Sequence, residues 1–129
     1  MRHLSALIVA GSSALQDGLL ALVTAIPQIK VVGEAADAAL AIRTISERCP
    51  DLVLLDTCLP DREAWRALER IKSGCPRTRC IVVADDVEQR REAEALGADV
   101  VLVKGTPPEK VIAAIERLLP QRGCERREK

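Results

Sequence analysis

Two side chains in this sequence are placed to do chemistry together: Asp56, closing the apolar run DLVLLD (51–56), and Lys104, closing DVVLVK (99–104). A carboxylate facing a fixed ammonium is the minimum apparatus of an acyl-phosphate site, with Asp as nucleophile and Lys as phosphate anchor. A plainer reading competes with it. An aspartate at a strand end commonly serves a loop or a helix cap, and residue types and spacing alone favour that role. Further acids lie close in sequence: Asp61 and Glu63 after Asp56, and Asp85 and Asp86 after Ala84. Solvated loop acids are the commoner outcome for such residues, with Asp85 and Asp86 the better placed if any acid serves a metal. The loop Ala10-Gly11-Ser12-Ser13 could offer backbone donors to an anion. It has no lysine and matches no phosphate-loop or dinucleotide fingerprint, so it reads as a strand-to-helix turn. The one histidine, His3, sits near the start, and no nucleophile–base pair supports a small-molecule enzyme.

The elements that must position these residues are legible as alternation. Five runs rich in Val, Leu and Ile (4–10, 29–35, 51–56, 79–84 and 99–104) are separated by segments of helical period at 13–26, 37–48, 62–73 and 87–96. A fifth such segment, 107–119, follows the last run. The third to fifth runs are almost continuously apolar, as strands covered on both faces must be. In the first helical segment Leu15, Leu19, Leu22, Val23 and Ile26 make one stripe, and in the last Val111, Ile112, Ile115, Leu118 and Leu119 do the same. Ser13, Asp37 and Asp61 suit helix starts, and Pro107-Pro108 suits the first turn of the last helix. Gly97 suits a left-handed helix stop. Strand–helix alternation implies a parallel sheet with helices on both faces. The expected fold class is therefore α/β: a flavodoxin-like, three-layer αβα sandwich with strand order 2-1-3-4-5. Its crevice lies where the strand order reverses, at the carboxyl ends of strands one and three. That edge carries Ala10 to Ser13 and Asp56 to Asp61, with Ala84 to Asp86 and Lys104 beside them.

Composition narrows the function classes. At 129 residues the chain fits one domain, with a folded unit over 1–120 and a polar tail over 121–129. Nineteen basic residues balance nineteen acidic ones, so no global field exists to hold nucleic acid or an anionic membrane. Trp65 is the sole aromatic residue, which argues against base-stacking platforms. No apolar stretch approaches the ~20 residues of a membrane span, and residues 4–10 read as a strand and not as a secretory signal. The expected location is cytoplasmic. Cys49, Cys58, Cys75, Cys80 and Cys124 form an odd set without a CxxC pair, which predicts reduced, partly buried thiols. Cys58, two residues after Asp56, is the one of interest.

From Leu7 to Leu119 the chain resembles a response-regulator receiver of the NarL-like (CheY-like) group. The stretches ALIVAGSSALQDGLLALV, IKVVGEAADAALAI, PDLVLLDTCLP, CIVVADD and ALGADVVLVKGTPPEKVIAAI carry the likeness in order and spacing. The resemblance implies that Asp56 is the phosphoacceptor, Pro60 the loop proline and Lys104 the phosphate-binding lysine. It implies a histidine kinase as phosphodonor and Mg²⁺ held by an acidic pair after the first strand.

The departures from that pattern are specific. Ala10 and Gly11 stand where the acidic pair belongs, and neither side chain can ligate a hard cation. Ala84 stands where a Thr or Ser bonds the phosphoryl group, Val101 where a switching aromatic sits, and Ala64 where a glycine enters helix three. The resulting expectation is an atypical receiver that binds no Mg²⁺ tightly and acts as a phosphorylation-independent interaction module. Its partner would be a protein: a histidine kinase, an output domain or a second copy. The polar residues Glu88, Arg90, Arg91, Glu94, Glu109 and Lys110 would meet that partner. The alternative is a working receiver, phosphorylated on Asp56, controlling an attached or separate transcriptional output. The chain is expected to be either a stand-alone regulator or the front of a longer transcription factor. Asp56 and Lys104 are expected to form a direct ion pair at rest.

Overall fold

Strands and helices alternate through the chain as β1 (Leu4–Val9), α1 (Ser13–Thr24), β2 (Ile29–Ala35), α2 (Ala38–Glu47) and β3 (Leu52–Asp56). They continue as α3 (Glu63–Gly74), β4 (Arg79–Ala84), α4 (Val87–Ala95), β5 (Val100–Val103) and α5 (Pro108–Leu118). A computed structural model of the chain describes residues 3–11, 13–57, 59 and 62–118. All strand pairs are parallel and the sheet order is β2-β1-β3-β4-β5. This is the flavodoxin-like arrangement that the alternation predicts.

Strand pleating divides the core in two. Leu7, Val9, Val53, Leu55, Cys80 and Val82 face α2, α3 and α4, where Ala41, Ile45, Ala64, Trp65, Leu68, Ile71 and Ala93 meet them. Ala6, Ile8, Leu52, Leu54, Ile81 and Val83 face the opposite way, onto Leu19, Val23 and Ile26 of α1 and Val111 and Ile115 of α5. The three central strands β1, β3 and β4 therefore bury both faces, and at roughly 1.5–3 kcal/mol for each large aliphatic side chain buried, this apolar packing holds the layers together. The two edge strands are less enclosed. Against β2 the register slips between Ala6 and Leu7 of β1, leaving Val32 of β2 as an extra residue that is 48% exposed. Such a bulge disfavours pairing with another chain along that edge.

Element ends differ from the sequence pattern where polar side chains intervene. Asp51 and Asp99 precede their strands because their side chains are used as acceptors. Asp51 Oδ2 accepts from Ser5 N at 2.8 Å, tying β1 to the start of β3. Asp99 Oδ2 accepts from Cys80 N at 2.7 Å and from Lys72 Nζ at 3.1 Å. Asp37 caps α2 through Leu40 N, as its residue type suggests. Pro107 O accepts from Lys110 N and Val111 N at the start of α5, and Gly97, at φ 101°, follows α4. The expected cap Asp61 and the apolar Leu119 lie outside the described residues. Arg62 stands at the start of α3 instead, at φ 60°, and gives no side-chain cap.

The cysteine expectation needs correction. Cys49 and Cys75 form a disulfide between the C-terminal ends of α2 and α3. Packing of one helix on the other brings together residues 26 apart, a proximity that cysteine spacing does not reveal. Cys80 is free and buried, as expected, and Cys58 and Cys124 lie outside the described residues.

Candidate functional site

The carboxyl ends of β1, β3, β4 and β5 converge on Asp56. Asp56 is the last residue of β3, fully buried, and lies in register with Val83 of β4. The next residue is held too: Thr57 N donates to Val83 O at 3.1 Å. Lys104 N donates to Ala84 O at 2.9 Å, which sets the lysine just beyond β5, ahead of a turn through Gly105 at φ 95°.

The sheet thus brings together the two residues singled out from the sequence, with a third group beside them. Lys104 Nζ stands 3.8 Å from Asp56 Oδ1 and 2.8 Å from Asp85 Oδ1. The expected Asp56–Lys104 ion pair is present, and its ammonium is shared with Asp85 and stands closer to that exposed acid. Asp85 reaches Lys104 readily because the β4–α4 turn lies next to the end of β5 in the sheet. A buried carboxylate is costly to desolvate, and an ammonium at this distance offsets part of that cost.

A hydroxyl and an amide that sequence reasoning missed complete the arrangement. The buried Thr57 hydroxyl lies 3.0 Å from Val83 O and 2.8 Å from Gln89 Oε1. Gln89 Oε1 also accepts from Asp85 N at 2.7 Å, and Gln89 N donates to Asp86 Oδ1 at 2.9 Å. Asp86 is therefore the N-cap of α4. The sequence does hold the signal for this: Asp86-x-x-Gln89 has the spacing of a capping box. Gln89 departs from the usual box by bonding the residue before the cap, and so ties Thr57, Asp85 and α4 into one network.

Three of the departures named from sequence fall at the same edge, and Val101 lies within β5. Ala10 is fully buried beyond β1, Gly11 is exposed, Ala84 is fully buried at the end of β4, and Val101 is partly buried opposite Val82. Pro60, Cys58 and Asp61 lie outside the described residues. Glu63 serves a different contact, accepting from Ala38 N of α2 at 3.3 Å. Ala64 and Trp65 are buried in α3, and Arg62 pairs with Glu92 of α4 at 2.8 Å.

Among the described residues, the side chains at this edge offer a hard divalent cation few oxygen ligands beside Asp56. Ala10 and Gly11 supply no oxygen ligand from a side chain, Asp86 is committed to its cap and Asp85 to Lys104. Among the described residues no three His, Cys, Asp or Glu groups cluster so as to hold a metal ion.

Comparison with known proteins agrees with this architecture. The family model described as response regulator receiver domain matches residues 6–116. The chain is 37% identical over 86 residues, 65% of its length, to the uncharacterized transcriptional regulatory protein YhcZ of Bacillus subtilis. It is 30% identical over 91 residues, 69% of its length, to the response regulator protein VraR of Staphylococcus aureus. The matched segments span 40% and 44% of those two relatives. Among solved structures, a LuxR-family two-component response regulator from Aurantimonas superposes with a TM-score of 0.82 at 26% identity, covering 90% of this chain and 84% of that one. The order of elements, the strand-end aspartate and lysine, and a family match over most of the length agree: the chain belongs to the response regulator receiver family and is a receiver domain of two-component signalling.

Proposed function

We propose that this receiver works as a protein-interaction module whose state does not depend on Mg²⁺-assisted phosphorylation of Asp56. The observation that carries this reading is the pair Ala10 and Gly11 at the end of β1, where receivers hold their metal with acids. Phosphoryl transfer relies on a cation to neutralise the transferred group, and one lysine already shared with Asp85 substitutes poorly for it. Asp56 remains a vestigial or weak phosphoacceptor and Lys104 its anchor, with Pro60 the proline of the adjoining loop. Ala84 has no hydroxyl to draw towards a phosphoryl group and Val101 no ring to rotate, so the domain lacks the family's means of coupling the site to its surface.

The proposed contact surface is the face of α4, β5 and α5. Glu88, Arg90, Arg91, Glu94, Glu109 and Lys110 are exposed there in mixed charge, with Val87 59% exposed beside them. This pattern suits a protein partner: a histidine kinase, an output domain or a second copy of the chain. The balanced charge disfavours direct nucleic-acid binding. A cytoplasmic location fits a receiver, and among the described residues no helix is long and apolar enough to cross a membrane. The receiver unit is assigned to residues 1–120 and the polar tail to 121–129. Incubation with acetyl phosphate, with and without Mg²⁺, followed by intact mass measurement tests the reading. It expects no metal-dependent phosphoryl adduct, whereas rapid Mg²⁺-dependent modification lost in Asp56→Asn would establish a working phosphoacceptor.

A further inference from the structure

We propose that Cys49 and Cys75 form a reversible redox staple between α2 and α3, worked by a small carboxylate-bearing thiol–disulfide couple of the glutathione type. The bond joins Cys49, the residue after the Arg48 cap of α2, to the residue that caps α3, with Cα atoms 5.7 Å apart. Its two cysteines are unequal in access. Cys49 is an exposed residue, while Cys75 is 5% exposed. Beside the bond lies a cavity of about 170 Å³ lined by both cysteines together with Ser46, Arg70 and Ser73. Arg70 brings a guanidinium to this lining for a carboxylate, while the Ser46 and Ser73 hydroxyls, which donate to Ile42 O and Arg70 O, keep lone pairs that can accept from a peptide amide.

The exchange follows from that asymmetry. In the opening direction a thiolate of the small couple attacks Cys49 Sγ, the S–S bond breaks, and Cys75 leaves as a thiolate and takes a proton. A second small thiolate then attacks the first small molecule's sulfur in the mixed disulfide and releases Cys49 as a thiolate that takes a proton, so two small thiols become one disulfide and the protein gains two thiols. Closure is the reverse, with Cys75 resolving a mixed disulfide on Cys49. Disulfides in reducing compartments are mostly of this transient kind. At their other ends α2 and α3 stay joined through Ala38 N and Glu63 Oε1. Opening therefore loosens the helix ends remote from Asp56, and the device operates whether or not Asp56 accepts a phosphoryl group.

The test equilibrates the full chain with graded ratios of reduced to oxidised glutathione, quenches by alkylation, and maps linkages by mass spectrometry of the unreduced digest. The Cys49–Cys75 linkage should rise and fall with the ratio, and opening should lower Tm by on the order of 10 °C. Cys75→Ser should collect glutathione on Cys49, whereas Cys49→Ser should leave Cys75 unmodified. Arg70→Ala should slow exchange with glutathione several-fold and leave exchange with uncharged 2-mercaptoethanol unchanged. A linkage absent at every ratio, one that persists in excess reduced glutathione, or adducts forming equally on Cys75 would overturn the proposal. The wild-type titration stands even if a variant fails to fold.

Discussion

Lys104 stands 2.8 Å from Asp85, an exposed acid on the turn after β4, and this contact draws its ammonium away from the buried Asp56 at 3.8 Å. The lysine is 37% exposed, so its pairing with Asp85 is screened by solvent and contributes little by itself. Its value lies in the field it supplies to Asp56, which water does not reach.

Removing that field should be expensive. Lys104→Ala is expected to cost about 1–3 kcal/mol in urea melts, because it strips positive charge from a buried carboxylate. Adding Asp56→Asn should restore most of the loss. Asp85→Asn should cost less than about 1 kcal/mol. Strict additivity of the Lys104 and Asp56 substitutions would show that the two do not interact.

Asp86 has a structural role that can be separated from metal binding. Asp86→Ala should destabilise the domain by about 1 kcal/mol through loss of the cap on Gln89 N. It should leave the response of Trp65 fluorescence to Mg²⁺ as weak as in the wild type. A saturable Mg²⁺ response that this substitution abolishes would assign Asp86 to the metal instead.

Thr57→Val keeps shape and removes the hydroxyl that reaches Val83 O and Gln89 Oε1. A loss of about 1 kcal/mol is expected, with faster amide exchange at Asp85 and through the first turn of α4. Unchanged exchange there would mean that the hydroxyl does not steady the helix.

Much of this site could be read from the sequence because each strand ends on a residue that an apolar run points to. Asp56 and Lys104 close such runs, and parallel topology brings the ends of β3 and β5 to one edge. What escaped were contacts made between elements. Asp85 meeting Lys104 depends on β4 and β5 being neighbours with a tight turn between β4 and α4. Gln89 meeting Thr57 depends on where α4 starts, although the Asp86–Gln89 spacing announced that start. The disulfide escaped because Cys49 and Cys75 meet only through the packing of α2 on α3. Their spacing carries no trace of it.

Burial pushes the Cys80 thiol up to about 12, with the Lys72 ammonium opposing the rise and the Asp99 carboxylate adding to it. The thiol is thus protonated in the folded state over a range in which the unfolded chain, near 9.0, already ionises. Its contribution to stability is complete below about pH 9 and is lost as pH rises towards 12. Cys80→Ala should flatten that part of the stability–pH curve. In the native protein at pH 9 the Cys80 thiol should resist iodoacetamide while the urea-unfolded chain reacts. Equal rates in both states would contradict the burial argument.

The central claim is that the edge around Asp56 no longer switches the domain, and backbone amide spectra with beryllofluoride and Mg²⁺ test it most directly. A ligand shifts an equilibrium only through differential contacts with two states, and Ala10, Gly11, Ala84 and Val101 supply none of the family's. Spectra across residues 84–110 should be nearly unchanged in the native chain. Replacing Ala10 and Gly11 with Asp and Ala84 with Thr should create a response. Concerted shifts along β4, α4 and β5 in the unaltered protein would contradict the account.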